Sequence, residues 1–342
     1  MDWKKEKEYI GHRNQIFPVK RYTLQEGKSR GVNVIEIGNG NGLNMIVLPD
    51  RGMDIYQLSY KGINLNYMTK VGITNSTHYD KVGNGWLKSF AAGFLTTCGL
   101  QNTGPGFIED NKIYGLHGNV GNIPSQNINV KFIEDDKNPS MCITGIVEEC
   151  EFMGTYLSLE RSYSIQYLEN KIVMRDIIKN EGYKIQPVMI LYHFNIGYPL
   201  LHPNSTIMIP TKKVMPRTIN DKVFVEEYLK IEEPQDNWNE QVFYHELDGD
   251  EKGKTSVGIR NDLLNICLKI SFDTNLLDHF IQWKMFQKGE YVLGLEPCNS
   301  TIDGRVGAES NGSLKYLKPN ETFVYEIEID VVQCMKNELT YS

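Results

Sequence analysis

Strand-like patterning runs along almost the whole chain. Val32 to Leu65 opens on a β-rich run, turns at Gly38-Asn39-Gly40-Asn41-Gly42 and resumes with a second apolar run. Asn-Gly turns between alternating runs are the strongest short-range hairpin signal. Tyr156 to Gly182 repeats the theme. Tyr156, Ser158, Glu160, Ser162 and Ser164 interleave with Leu157, Leu159, Arg161, Tyr163 and Ile165, a turn falls near Glu169-Asn170, and Ile172 to Ile178 resumes the strand. Asp262 to Asp273 and Thr322 to Gln333 read as further strands. In the second, Phe323, Tyr325, Ile327 and Ile329 share one face. Val324 interrupts an otherwise polar face of Glu326, Glu328 and Asp330, as in a sheet wet on one side. The helical period is scarce, and Thr274 to Lys284 is expected to hold one short helical turn. No fixed-period repeat and no low-complexity linker divides the chain. Short strands punctuated by turns from end to end predict an all-β fold: one large antiparallel β-sandwich, with residues 1–342 as a single domain.

Composition narrows the partners. A formal net charge of −7 over 342 residues argues against nonspecific nucleic-acid binding and gives no reason to expect an anionic membrane as partner. No apolar run is long enough for a transmembrane helix. The N-terminal stretch MDWKKEKEYIGHRNQ lacks the apolar core of a signal peptide, so the expected location is cytoplasmic. The six cysteines, Cys98, Cys142, Cys150, Cys267, Cys298 and Cys334, are scattered without a CxxC pair. Free thiols are expected rather than a zinc site or a disulfide framework. A monomer and a homodimer are both compatible with such a chain.

Five segments place polar residues where a plain sandwich does not ask for them. In LPDRGMDI, Leu48 to Ile55, Asp50 and Arg51 are either a turn with an exposed ion pair or a binding element. Trp86 to Gly106 strings small residues between aromatic ones and ends in Gln101 and Asn102. Glycine and alanine there allow a ligand to approach the backbone, and tight sheet packing asks for the same residues. In MILYHFNIGYPLL, His193 and Asn195 interrupt an apolar strand at alternate positions and so share a face. Glu296 closes the apolar run Tyr291 to Leu295, a setting in which partial burial raises a carboxylate toward general-base range. His117 stands between Leu116 and Gly118 in the polar stretch KIYGLHGNVGNIP. Two histidines and a glutamate form a plausible acid–base set. There is no GxSxG elbow and no P-loop, and GNGNG reads as a hairpin turn.

With those residues laid out, the chain resembles the aldose 1-epimerase (galactose mutarotase-like) superfamily, and within it a divergent branch of unknown function. The resemblance runs from about Asn33 to Asp330 and is carried by VLPDRGMDI, FAAGFLTTCGL, GLHGNVGNIPS, LYHFNIGYPLL, FIQWK and YVLGLEPCN. It implies a sandwich with a sugar cleft on one sheet face and a cofactor-free, metal-free epimerase that interconverts the anomers of a small-molecule carbohydrate, a free sugar or sugar acid, by acid–base ring opening. Carried over residue by residue, Glu296 is the base for the anomeric hydroxyl, His193 the acid for the ring oxygen, and His117 their substrate-binding partner. Asn195, beside His193, is a substrate-binding candidate, as are Gln101 and Asn102. Gln282 is expected to line the same cleft, with Lys284 sharing its face. The family's GRYANR-like arginine loop is missing, and Arg51 or Arg305 is expected to take its role. The family's sugar-gripping aspartate has no clear counterpart, although Glu240, His245 and Glu246 stand near the expected place. The competing readings are a carbohydrate-binding protein without turnover and a metal-assisted sugar isomerase.

Overall fold

The computed structural model describes residues 3–218 and 225–333. Antiparallel strands dominate it, arranged in three main sheets and one small hairpin. The five-stranded sheet runs in chain order from Val19–Thr23 to Ile63–Asn64. The eight-stranded sheet is built around Tyr156–Gln166, Lys171–Asn180 and Thr322–Gln333. The seven-stranded sheet places Gln241–Leu247, His279–Gln287, Glu290–Cys298 and Gln186–Gly197 side by side.

The patterning translates directly into register. Gly38 pairs with Asn44 across the GNGNG turn, and Ile165 pairs with Ile172 across the second turn. The two turns are tied together: the Asn39 side chain accepts from the Asn41 and Leu43 amides and donates to the Glu169 carbonyl. On Thr322–Gln333, Tyr325, Ile327 and Ile329 are buried while Val324 is exposed. They join a core with Met45, Ile143, Leu159, Ile190, Phe194 and Leu293, so side chains of all three sheets meet in one apolar cluster. The expected helical turn at Thr274 to Lys284 is absent. A tight turn at Thr274–Leu276 leads straight into the strand His279–Gln287, because the apolar residues Phe280, Trp283 and Phe286 serve two faces of a sheet.

One polar device crosses the core. The fully buried Arg161 guanidinium binds both oxygens of Asp176 at 2.9 and 2.7 Å and Oδ1 of Asp54 at 2.8 Å. Asp54 accepts from the Thr97 amide, and the Tyr192 hydroxyl donates to Asp176. Each sheet contributes to this network, and burial without such pairing would be prohibitive for a guanidinium.

Candidate functional site

One cavity of about 530 Å3 opens over the seven-stranded sheet. Its floor comes from alternate residues of neighbouring strands: Ile281, Trp283 and Met285 from one, Val292 and Glu296 from the next, His193 from the third. Phe194 pairs with Leu295 and Ile281 with Glu296, so strand pairing alone brings His193 beside Glu296. Nε2 of His193 lies 3.3 Å from Oε1 of Glu296. No protein hydrogen bond fixes that oxygen or Nδ1 of His193, although both are buried. Aromatic rings frame the pair. Trp86 stacks on Phe90 at 4.5 Å, and His193 lies 5.7 Å from Phe90 and 5.4 Å from Trp283.

His117 reaches the same cavity from a loop. It holds a left-handed backbone, φ 55°, fixed by its amide donating to the Gly104 carbonyl and its carbonyl accepting from the Gly99 amide. Its ring lies 4.9 Å from Trp86 and 6.3 Å from His193. Nδ1 accepts a long hydrogen bond of 3.4 Å from the Gly104 amide, which leaves Nε2–H as the donor of the neutral ring. Of the two roles the sequence allows for the small residues here, Gly99 and Gly118 take the packing one. A Cβ on Gly118 would come within 2.1 Å of the Gly99 carbonyl oxygen, and one on Gly99 within 2.2 Å of the Met189 carbonyl oxygen. Gly99 and Gly118 let backbone pack on backbone and do not line the cavity, whereas Gly104 packs on the Ile302 carbonyl and lines the cavity as well.

Burial sets the proton affinities. It pushes Glu296 up to about 8, with Arg217 opposing and Glu240 adding to the rise. It pushes His193 down to about 3, helped by the neighbouring His117, and His117 down to about 4, helped by Arg217. The favoured resting state is a neutral carboxylic acid beside a neutral imidazole. That state carries the same single proton as a carboxylate beside an imidazolium, so a proton shift between the partners interconverts the two.

Of the remaining residues singled out in the sequence, all but Glu240 lie outside the cavity lining. Arg51 is buried and donates to the carbonyls of Gly121, Thr74 and Ser89, tying three loops together; Asp50 accepts from the Asn33 amide instead of pairing with it. Asn195 shares the His193 face by parity, yet its side chain donates to the His193 carbonyl and the Tyr67 segment covers its backbone. Gln101 is held by Glu149 and Thr155, and Asn102 by Pro105, Gly115 and the Arg305 amide. Arg305 pairs with Glu109 and stacks over the rings of Phe107 and Tyr114 at 4.6 and 4.3 Å. Gln282 and Lys284 do share a face, but it is the face away from the cavity. Gln282 bonds His245 and the Tyr228 carbonyl, and Lys284 donates to the Glu227 carbonyl. Of the three residues near the expected place of the sugar-gripping aspartate, Glu240 lines the cavity and accepts from Trp283 Nε1 at 3.0 Å. His245 is packed against Gln282, and Glu246 pairs with Lys213 at the surface.

Arg217 is a charged cavity residue that sequence patterning does not reach. The strand Thr211–Pro216 pairs with Gln241–Leu247, and the Arg217 amide continues that pairing onto the Val242 carbonyl. Its Nε lies 3.5 Å from Asp303. Among the described residues no three His, Cys, Asp or Glu side chains gather as a metal ion would require, and no helix is long and apolar enough to cross a membrane.

No curated protein matches this chain. Solved structures do. A Klebsiella pneumoniae protein described as a "putative aldose 1-epimerase" superposes with a TM-score of 0.87 at 24% identity, over 92% of this chain and 83% of that one. A galactose mutarotase-like protein from Clostridium acetobutylicum gives 0.67 at 14% identity, over 94% and 100%. A galactose 1-epimerase from Lactobacillus acidophilus gives 0.58 at 12%, over 93% and 99%. At these identities the likeness establishes the fold. The family described as a domain of unknown function, DUF4432, matches residues 29–331. The chain belongs to that DUF4432 family and carries the β-sandwich of the galactose mutarotase-like proteins.

Proposed function

We propose that the protein is a cofactor-free carbohydrate epimerase that interconverts the anomers of a free sugar. The observation that carries this reading is the close approach of His193 to Glu296, unsealed by other hydrogen bonds, inside an aromatic cavity that His117 also enters. Aromatic faces suit the C–H faces of a pyranose, and a shared-proton pair suits a reaction that moves one proton out and one proton in.

The Glu296 carboxylate takes the proton of the anomeric hydroxyl. The His193 imidazolium gives its proton to the ring oxygen as the C1–O5 bond breaks and the C1–O1 bond becomes a carbonyl. The open-chain aldehyde then faces a protonated Glu296 and a neutral His193, which is the state that burial favours. Rotation about C1–C2 presents the other carbonyl face. Ring closure returns both protons to where they began, so the enzyme is restored without net proton loss. Arg217 favours the ionised form of Glu296 and is placed to grip a sugar hydroxyl, and Nε2–H of His117 offers a second donor.

Polarimetry on freshly dissolved pure anomers tests the reading. Wild-type protein should accelerate the approach to anomeric equilibrium, and His193→Asn should slow that catalysis by roughly 100-fold. Full activity in the variant would remove His193 from the mechanism.

A further inference from the structure

The geometry points to a distal subsite in the same cavity that takes the second sugar unit of a reducing disaccharide. This inference rests on the epimerase reading above. A single hexose at interior packing density fills roughly a third of the 530 Å3 cavity. The excess volume has a direction. Every second residue along a strand advances about 6.6 Å, close to the length of one sugar unit. On Glu290–Cys298, the face that carries Glu296 continues through Gly294 and Val292 to Glu290, a reach of about 20 Å.

The neighbouring strand supplies the matching steps: Ile281 opposite Glu296, Trp283 opposite Gly294, Met285 opposite Val292. The first step holds the reacting pair. At the second step Gly294 makes room for its neighbours: a Cβ there would come within 2.5 Å of Glu296 Oε1 and 3.0 Å of Trp283 Cβ, so the glutamate carboxylate and the indole form the floor between the reacting pair and the third step. The third step is apolar, with Met285 and Val292 beneath and Tyr67 and Val71 beside them. That wall is fixed: Tyr67 lies on Gly197, its amide donates to the Asn195 carbonyl and its hydroxyl to the Gly289 carbonyl. At the far end Lys70 pairs with Glu290 at 2.6 Å. The two charges cancel while offering a donor and an acceptor to hydroxyl groups, which fits an uncharged sugar unit and not a phosphate.

The test compares glucose and galactose with cellobiose, maltose and lactose, by anomeric exchange with wild type and by titration of Glu296→Gln, which reports binding without turnover. The expected result is a kcat/KM about tenfold higher for at least one disaccharide than for its monosaccharide, with the same order in binding. Met285→Trp, which fills the third step, should cut that preference about tenfold; Met285→Ala, which empties it, should cut it several-fold and serves if the tryptophan variant does not fold. Equal or better use of monosaccharides, or variants that change both sugar classes alike, would overturn the subsite. Preferential disaccharide binding that Met285→Trp removes, with no exchange on any sugar, would uphold the subsite and defeat the epimerase reading alone.

Discussion

Nε2 of His193 and Oε1 of Glu296 stand 3.3 Å apart on adjacent antiparallel strands, and the two side chains hold one exchangeable proton between them in their favoured state. Strand pairing sets the two residues side by side, and their side chains reach the same point of the cavity. An acid and a base are thus presented together by the sheet itself.

The pH dependence follows from the proton count. With one proton the pair offers both an acid and a base. With two it lacks a base, and with none it lacks an acid. The kcat/KM of wild type should fall above about pH 8, as Glu296 loses the shared proton, and again toward about pH 4 and below, where His117 and His193 protonate. A profile flat from pH 5 to 10 would contradict the assignment.

Stability carries the same signature with its own sign. The folded pKa of Glu296 lies above its ordinary value of 4.5, so its contribution is complete below 4.5 and is lost as pH rises to about 8. Glu296→Gln removes the ionisable group at nearly constant shape. The melting temperature of wild type minus that of the variant should therefore become steadily more negative between pH 5 and pH 8. The two buried histidines act in the other direction, since their folded pKa values are depressed and acid favours the unfolded chain below about 6.5.

Arg51 and Arg217 should separate cleanly. Arg51 bonds three loop carbonyls and does not line the cavity, so Arg51→Ala should cost about 3 kcal/mol in urea denaturation by leaving those carbonyls unpaired. Arg217→Ala should leave the unfolding midpoint nearly unchanged and raise KM about tenfold.

Arg161→Met tests the clamp across the core. It strands Asp54 and Asp176 without their cation, and the expected loss is roughly 3–5 kcal/mol in chemical denaturation.

The sheets were legible because their signals are local. The Asn-Gly turn at 38–42 and the alternation from Phe323 to Ile329 each specify their own geometry. His193 and Glu296 were legible as polar interruptions of apolar strands, and His117 as a histidine in a tight loop. Gln282 shows where such reading stops. Alternation says that Gln282 and Lys284 oppose Ile281 and Trp283, but it does not say which face is the cleft. Here the cleft is the apolar, aromatic face, while the polar pair satisfies the backbone of the segment around Glu227 and Tyr228. Arg51 and Arg305 mislead for a related reason, since an arginine that ties loops and one that grips a ligand look alike in sequence. Arg217 enters the cavity only through the pairing of strands distant in the chain, which no short motif records.

The measurement that bears most directly on the central claim is exchange NMR between the two anomers of aldoses and uronic acids, read at the anomeric proton, and of ketoses, read at the anomeric carbon. Wild type, Glu296→Gln and chelator-treated wild type are run on the same samples. The account predicts faster anomeric exchange on at least one sugar, undiminished by chelator and lowered roughly 100-fold or more in Glu296→Gln. Exchange that survives the substitution, or sugar binding with no exchange at C1, would contradict it.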